Sequence, residues 1–232
     1  MMDAVRRQAV LAHQRKYWDE HGNPRGPDHP VVRFFASQRV AYIERRIDLS
    51  TVGSAVEVGA GNGFATAAMQ AVVPRLAATD LSLSMLQANP LRSRALVQAA
   101  AESLPFASGS ADLVFAWEVL HHVSDVAGAV REMARVTRRW VLLFEPNRNN
   151  PAQFLHSLLA PHERGGLKFT RNYLARICRE AGLAVRSIET VGATLPNRMP
   201  EIFLPLLRRV PFVLPVVGIS TAVVATKDGR AG

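Results

Sequence analysis

An apolar β-type run leads straight into three closely spaced glycines in "VEVGAGNGFATAAM", residues 56 to 69. Gly59, Gly61 and Gly63 alternate with other residues, and an alanine-rich helical pattern follows them. Glycine permits the positive φ angles that a tight strand-to-helix turn needs. The stretch therefore predicts a β-strand, a turn whose backbone can approach a ligand closely, and a helix.

Two ligand classes fit such a glycine loop. A dinucleotide site has the spacing G-x-G-x-x-G and rests a pyrophosphate on the helix N-terminus. Here the third glycine comes one residue earlier, and the Glu57 carboxylate in the strand would repel an anion and attract a cation. The loop thus favours a ligand with positive charge, such as the ammonium and sulfonium of S-adenosylmethionine, although a tight turn uses glycine even without a ligand.

From residue 54 onward, strand-like and helix-like patterns alternate, which is typical of a parallel sheet with crossover helices. Seven strands are predicted, at residues 54–59, 75–80, 95–100, 111–117, 140–145, 183–192 and 219–227. Helices are predicted at residues 63–73, 84–91, 126–137 and 170–182. The fold class is therefore α/β, with a mostly parallel sheet.

Two segments stand outside this alternation. Residues 1–50 have a helical pattern with a Gly/Pro break and are predicted to form an N-terminal cap on a domain at 51–232. Residues 192–217 are apolar, punctuated by prolines and too long for a hairpin connection. One hypothesis is that they pack on the sheet or form a dimer face. The other is a lid-like insertion that covers an apolar acceptor, with its arginines close to a membrane surface.

Composition narrows the function classes. A chain of 232 residues suits one α/β domain, and its single Cys178 excludes a disulfide framework. The net charge of +9 comes from scattered arginines without an aromatic-interleaved basic cluster, which indicates a solvated surface rather than nucleic-acid binding. Neither a signal peptide nor an apolar stretch of membrane-spanning length is evident, so a cytoplasmic protein is expected.

Ligands of open parallel sheets bind beyond the carboxyl ends of the strands. The second strand ends in Asp80, whose carboxylate can accept hydrogen bonds from both ribose hydroxyls or can cap the following helix. The third strand leads into "AAAESLPF" and the fourth into "FAWEVLHHVSD".

These strand ends, taken in order, resemble the class I S-adenosylmethionine-dependent methyltransferases, particularly the small-molecule group that includes the ubiquinone and menaquinone biosynthesis type. The resembling stretches are "VEVGAGNG", "ATDLSLSML", "AESLPFASGSADLVFAWEVLHHV" and "REMARVTRRWVLLFEPN". The resemblance implies a Rossmann-like sheet with helices on both faces and an antiparallel last strand. It also implies S-adenosyl-L-methionine as the cofactor.

The resemblance further implies the cofactor contacts: Glu57, Gly59, Ala60, Gly61 and Gly63 at the methionine part, Asp80 at the ribose, Leu81 and Met85 beside the adenine, Ala101 and Glu102 at its edge, and Trp117 near the methyl end. The chain departs from the family at Ala100, where an aspartate usually accepts from the adenine amino group. Adenine must then be held by backbone amides, apolar packing or Glu102.

Methyl transfer asks the protein mainly to align the acceptor, and a hydroxyl acceptor also calls for a general base. The candidate catalytic residues are His121, His122 and Glu118, although a histidine can equally pack under the cofactor. Candidate acceptor-binding residues are Tyr17, Trp18, His156 and Phe203. No metal site is expected, because adjacent histidines point to different helix faces and no carboxylate stands at helical spacing.

The sequence therefore predicts a methyltransferase for a small molecule, with O-methylation of a natural-product, quinone-like or lipid-like acceptor as the first hypothesis. The alternatives are a C- or N-methyltransferase and, because of Ala100, an inactive cofactor-binding relative. A nucleic-acid methyltransferase would carry an Asn/Asp-Pro-Pro-Tyr motif after the fourth strand to stack a flipped base, and this chain has "AWEV" there. The expected partner is a small-molecule acceptor and not nucleic acid. The sequence leaves two further questions open: contact with a membrane surface and formation of a homodimer.

Overall fold

The computed structural model of the chain describes residues 2–90, 95–193 and 197–227. Its helices are α1 (Met2–Glu20), α2 (Pro30–Glu44), α3 (Phe64–Met69), α4 (Leu83–Gln87), α5 (Val126–Val136), α6 (Pro151–Leu159), α7 (Arg171–Glu180) and α8 (Leu204–Leu207). Its strands are β1 (Ser54–Val58), β2 (Arg75–Asp80), β3 (Leu96–Gln98), β4 (Ala111–Trp117), β5 (Thr137–Pro146), β6 (Leu183–Val191) and β7 (Ser220–Lys227). Short 3₁₀ segments include Leu120–His122, Pro161–Lys168 and Glu201–Phe203.

The seven strands form one sheet in the order β3-β2-β1-β4-β5-β7-β6. Strands β1 to β5 pair in parallel, whereas β7 runs antiparallel to both β5 and β6. This confirms the predicted Rossmann-like, mostly parallel sheet with an antiparallel last strand. Because the chain passes from β1 to β2 on one side and returns to β4 on the other, the strand order reverses between β1 and β4.

Both faces of the sheet are buried, which explains the continuous apolar run of "ADLVFAW" in β4. On one face, Val114 and Val141 pack with α5 through Val130 and Met133. On the other face, Phe115 and Phe144 pack with Tyr42 and Ile43 of α2. The N-terminal region therefore contributes part of the core, although its separation as a cap domain stays a prediction.

The turn after β4 differs from the predicted structure. His121 and His122 are expected on a helix, but they lie on the 3₁₀ segment Leu120–His122. Helix α5 begins after them at Val126, as predicted for the helix at residues 126–137, and the Asp125 side chain accepts a hydrogen bond of 2.8 Å from the Gly128 N–H as its N-cap. The two histidines are therefore held by a turn and not by a helix.

The predicted lid-like insertion follows the sheet edge at its two ends. The Gly192 N–H donates to the Phe212 carbonyl over 2.7 Å, and the Leu214 N–H donates to the Thr190 carbonyl over 3.0 Å. Phe212 packs edge-on against Tyr42, with ring centroids 5.7 Å apart. Residues 194–196 of the insertion lie outside the described part of the chain, and a lid function stays a prediction.

In the described ranges, every helix is too short or too polar to cross a membrane.

Candidate functional site

A cavity of about 500 Å³ lies at the carboxyl ends of the strands, where the strand order reverses between β1 and β4. It is closed on one side by α1 and on the other by the segments after β5. The sequence-predicted residues that line it are Tyr17, Trp18, Glu57, Gly59, Ala60, Gly61, Asp80, Leu81, Met85, Ala101, Glu102, Trp117, Glu118, His121, His122 and His156. Gly63 and Phe203 are not among the lining residues.

The glycine loop shapes the floor of the cavity. Gly59 has φ +72°, and a Cβ there would stand 2.1 Å from Cγ2 of Val119, so the close approach of β1 to the turn after β4 requires glycine. Gly61 has φ +51° and lines the cavity itself, with Met85 Cε 3.1 Å from where its Cβ would be. Gly63 instead serves packing, because a Cβ on it would stand only 2.3 Å from Cδ of Pro90.

Glu57 is a buried carboxylate on the cavity wall, 2% exposed. Thr66 Oγ1 donates a hydrogen bond of 2.5 Å to its Oε2. Burial raises the pKa of Glu57 to about 8, outweighing the Thr66 hydrogen bond that lowers it. A buried carboxylate that has no cationic partner among the described residues is a natural site for a ligand ammonium group.

Asp80 both supports the glycine loop and faces the cavity. Its Oδ2 accepts a hydrogen bond of 2.8 Å from the Gly61 N–H, and its Oδ1 accepts one of 2.8 Å from the Ser82 N–H. The N-cap of α4 is Ser82, whose Oγ accepts from the Met85 N–H, and not Asp80. Each carboxylate oxygen retains acceptor capacity, so Asp80 can also receive ribose hydroxyls.

Asp80→Ala is expected to weaken cofactor binding by about 1.5–3 kcal/mol, or roughly 10- to 150-fold in Kd. The ribose would lose an acceptor, and the Gly61 N–H would lose its partner at 2.8 Å. Calorimetric titration with S-adenosylhomocysteine measures the change, with the exposed Asp48→Ala as the matched control. Normal affinity with a reduced saturated rate would place Asp80 in the chemical step instead.

Where the sequence predicts adenine contacts, the cavity wall consists of Leu81, Met85 and the run Ala99–Ala101. Ala100 offers no polar side-chain atom there. Glu102 is the nearby side chain with acceptor atoms, and its Oε1 lies 3.5 Å from the Asp125 backbone N–H. The walls are therefore apolar, with one carboxylate at the rim.

The opposite end of the cavity is aromatic. Tyr17 and Trp18 line it, whereas Trp117, another lining residue, follows Ala116, the strand partner of Val58, and so stands level with the glycine loop. Trp18 contacts the His122 ring edge-on with centroids 4.8 Å apart, and Tyr17 stacks on His162 at 5.5 Å. The Gln14 side chain also donates a hydrogen bond to the His122 carbonyl, so these contacts hold α1 against the turn after β4.

Glu118 is held by partners that are distant in sequence. Its carboxylate pairs with Arg39 of α2, and Ser220 Oγ donates to its Oε1 over 2.6 Å. Arg39 is fully buried, with its guanidinium 4.0 Å from the centroid of the Phe35 ring. Glu118 has φ +56°, so this pairing holds a strained backbone position. Its carboxylate is already engaged, which does not favour it as a free base.

The buried Glu145 organises the turn that carries both histidines. Its Oε1 accepts from the N–H groups of Val119 and Leu120 over 3.1 and 2.8 Å. Its Oε2 accepts from the His121 N–H over 3.2 Å and pairs with His121 Nδ1 at 2.9 Å. Sequence reasoning missed Glu145 because nothing in the pattern of β5 marks its carboxylate as a partner of the turn.

His121 has carboxylates at both ring nitrogens. Nδ1 pairs with Glu145, and Nε2 lies 3.2 Å from Glu163 Oε2. Burial lowers the pKa of His121, but the hydrogen bonds and charges of these carboxylates outweigh it and raise the pKa to about 10. The structure therefore does not favour His121 as a free general base, because both of its ring nitrogens are engaged by carboxylates.

His122 has a different environment. Its Nδ1 lies 3.2 Å from the His162 carbonyl. Burial and the neighbouring charge of His121 hold the pKa of His122 well below its usual range, so the ring is neutral. Its Nε2 has no hydrogen-bond partner in residues 2–90, 95–193 and 197–227, and the residue lines the cavity.

The structure overturns the reasoning behind the expected absence of a metal site. That expectation looked for a carboxylate at helical spacing from the histidines. Glu163, from the 3₁₀ segment Pro161–Lys168, instead approaches from a distant part of the chain, and one ligand atom of each of His121, His122 and Glu163 lies within 4.8 Å of the others. No local sequence signal could have identified Glu163.

His156 of α6 reaches the cavity as predicted. Both of its ring nitrogens are buried, and neither has a hydrogen-bond partner in the described part of the chain. Burial lowers the pKa of His156. Since buried polar atoms are usually satisfied, this neutral ring is suited to pair with a polar group of a bound molecule.

Comparison with known proteins gives both a sequence match and a fold match. Residues 56–144 match the protein family described as Methyltransferase domain. Over 94 residues the chain is 34% identical to the demethylmenaquinone methyltransferase of Corynebacterium urealyticum, an alignment that covers 40% of this chain and 41% of the relative. The chain spans about half or less of the length of the curated relatives it matches.

Two of the solved structures that share the fold illustrate the match. An S-adenosylmethionine-dependent methyltransferase of Thermotoga maritima superposes with a TM-score of 0.66 at 17% identity, covering 85% of this chain and 92% of that one. The geranyl diphosphate C-methyltransferase of Streptomyces coelicolor A3(2), solved with Mg²⁺, geranyl diphosphate and S-adenosyl-L-homocysteine, gives a TM-score of 0.62 at 17% identity, with coverages of 94% and 97%.

Proposed function

We propose that this chain, whose residues 56–144 match the family described as Methyltransferase domain, is an S-adenosylmethionine-dependent methyltransferase that transfers the cofactor's methyl group to a hydroxyl of a small, largely apolar acceptor. The observation that carries the proposal is the division of one cavity into two unlike ends. One end combines a buried carboxylate, a glycine floor and Asp80, and the other has aromatic walls beside a histidine cluster.

The residues of the first end fit the cofactor. The buried Glu57 carboxylate suits its ammonium group, Gly61 lets the ligand approach the backbone, and Asp80 suits its ribose hydroxyls. The cofactor supplies an electrophilic methyl group on a sulfonium, with a neutral thioether as leaving group. The protein's task is then to align the acceptor in line with that methyl and to exclude water.

The second end fits an apolar acceptor with few polar groups. Tyr17 and Trp18 offer flat apolar surface, and the His156 ring offers nitrogens that lack partners among the described residues. A quinone-like or isoprenoid-bearing molecule has this character, and the relative from Corynebacterium urealyticum is named for a quinone, demethylmenaquinone. A hydroxyl oriented towards His122 would lie beside the methyl-donating end.

The proposal is tested by incubating the protein with methyl-labelled cofactor and three acceptors: a hydroxylated naphthoquinone, an unsubstituted naphthoquinone and a small polar hydroxy acid. Label on the oxygen of the hydroxylated quinone is the expected product. Label on a ring carbon would establish the C-methyltransferase alternative, and methylation of the polar acid alone would contradict an apolar acceptor.

Trp18→Ala is expected to raise the KM for the apolar acceptor about tenfold, since truncating a buried aromatic contact costs on the order of 1–2 kcal/mol. Cofactor affinity should change less than this KM, because the ring contacts of Trp18 are with His122 and Tyr17 and not with the glycine loop or Asp80. Val10→Ala truncates an exposed apolar residue on the same helix and serves as the control. Equal KM values for the two variants would remove Trp18 from acceptor binding.

Peripheral membrane contact and a homodimer remain proposals. Support comes from large apolar side chains that are exposed on α6 and on the segment through α8: Phe154, Leu155, Leu158, Leu159, Ile202, Phe203 and Leu206. Apolar surface of this kind commonly covers a partner or a membrane. Phe203 fits this surface better than the acceptor site, because it is 47% exposed and does not line the cavity.

A further inference from the structure

The cluster of His121, His122 and Glu163 lies on the cavity wall at the aromatic end. We propose that these three residues bind a divalent transition-metal ion of the Zn²⁺ type, with a remaining coordination position open towards the acceptor. The proposal stands on three geometric observations: the ligand set, the partners that orient each ligand, and the tight fit of the segment that delivers Glu163.

The ligand set is suited to such an ion. Two imidazoles and one carboxylate, with a fourth position left for water or substrate, form a common catalytic zinc arrangement. Nitrogen ligands favour Zn²⁺ and its neighbours over Mg²⁺ and Ca²⁺, which prefer oxygen ligands. His122 and Glu163 are partly buried and His121 is buried, so an ion bound here would be shielded on the protein side and accessible from the cavity.

The distances are compatible with a shared ion. His121 Nε2 and Glu163 Oε2 are 3.2 Å apart. Two ligands that bind a tetrahedral ion at about 2.0–2.2 Å stand roughly 3.3–3.6 Å from each other. The most distant pair in the cluster is within 4.8 Å and needs to close by about an ångström, which side-chain torsions permit. A proton on His121 Nε2 would lie between this nitrogen and Glu163 Oε2. A bound ion would take the place of that proton.

Both histidines are oriented as metal ligands usually are. Metal-binding histidines donate their other ring N–H to a carboxylate or a carbonyl, which fixes the tautomer and the ring plane. Here His121 Nδ1 pairs with Glu145 at 2.9 Å, and His122 Nδ1 lies 3.2 Å from the His162 carbonyl. In each ring Nε2 is the nitrogen left for the cluster.

Glu163 reaches the cluster because its segment packs unusually closely on the histidine turn. A Cβ on Gly165 would stand 1.7 Å from the His121 carbonyl oxygen, and one on Gly166 would stand 2.7 Å from Ser157 Oγ. Glycine at position 165 therefore permits a backbone contact with the histidine turn that any side chain would prevent, and glycine at position 166 lets the segment pack against the Ser157 side chain of α6. The contact fixes the carboxylate of Glu163 beside His121.

Metal binding itself does not depend on the proposed methyl transfer, whereas the role of the ion does. A Lewis acid at the open position would bind the acceptor hydroxyl and lower its pKa, so that the proton leaves to solvent and the oxygen attacks the methyl group. Such an ion would make a separate general base unnecessary.

The test is a calorimetric titration of chelator-treated, dialysed protein with Zn²⁺. One site per chain is expected. His122→Ala and Glu163→Gln should each weaken Zn²⁺ binding at least about 100-fold. Glu145→Gln removes only a partner that orients His121, and loss of such a partner typically weakens metal binding roughly 10- to 100-fold. His13→Ala and Glu180→Gln change an exposed histidine and an exposed carboxylate and should leave the affinity unchanged.

Binding of S-adenosylhomocysteine shows whether each variant is folded, and His122→Gln replaces His122→Ala if the latter fails that check. The proposal is overturned if the unmodified protein binds no Zn²⁺, or if the cluster variants bind it as tightly as the two controls. If Zn²⁺ binds but chelation leaves turnover of a hydroxyl acceptor unchanged, the catalytic role is wrong. Failure of methyl transfer with intact Zn²⁺ binding would contradict only the proposed function.

Discussion

Gly61→Val is expected to abolish binding of S-adenosylmethionine and S-adenosylhomocysteine while leaving the protein folded. Gly61 has φ +51°, a backbone conformation that a β-branched residue strongly disfavours, and it lines the cavity at the glycine floor. A valine side chain would also be directed at Met85 Cε, 3.1 Å from the Cβ position. The expected fall in affinity is more than about 100-fold, since both the shape of the loop and the close approach of the ligand are lost.

The matched control is Gly182→Val. Gly182 also has a positive φ, +77°, but no atom of the described residues lies within 4 Å of its Cβ position, and it does not line the cavity. The two variants should lose comparable stability in thermal unfolding, whereas only Gly61→Val should lose the calorimetric signal of the ligand. Undiminished affinity in a folded Gly61→Val protein would move the cofactor away from this loop.

Glu57→Gln is expected to have opposite effects on stability and on binding. Burial raises the pKa of Glu57 from 4.5 to about 8. Between these two values the folded chain keeps a proton that the unfolded chain has released, so this carboxyl group makes stability fall as the pH rises. Above about pH 8 this loss of stability, which is the free-energy cost of a buried charged carboxylate, no longer changes with pH. Glu57→Gln removes the cost and should stabilise the ligand-free protein by roughly 2–4 kcal/mol at pH 9.

The same substitution should weaken cofactor binding at least about tenfold, because an amide cannot neutralise a buried ammonium group. Denaturant unfolding at pH 5 and pH 9, with and without S-adenosylhomocysteine, measures both effects. Glu180→Gln, at an exposed carboxylate, should change neither. A Glu57→Gln protein that is less stable at pH 9 and binds normally would show that the carboxylate serves the fold and not the ligand.

The sheet and several residues that line the cavity at its carboxyl edge could be predicted because their signals are local in sequence. Buried parallel strands are short apolar runs, and the residue that ends each run is placed at the same edge by the sheet itself. Glu57 and Asp80 follow directly from this rule. The glycines were more ambiguous, since Gly59 and Gly61 shape the cavity whereas Gly63 packs against Pro90.

The acceptor end could not be predicted in the same way, because its decisive contacts join distant segments. Glu163 meets His121 through the packing of Gly165, and Arg39 of α2 meets Glu118 after β4. No periodicity links such positions. For this reason the adjacent histidines looked equivalent in sequence, although the structure pairs one with two carboxylates and leaves Nε2 of the other without a hydrogen-bond partner among the described residues.

Calorimetric titration of the unmodified protein with S-adenosylmethionine tests most directly whether the cavity between β1 and β4 is the cofactor site. The account predicts one binding site per chain, with affinity that is lost in Gly61→Val and retained in Gly182→Val. The absence of binding at millimolar cofactor, or binding that Gly61→Val and Asp80→Ala leave unchanged, would contradict it.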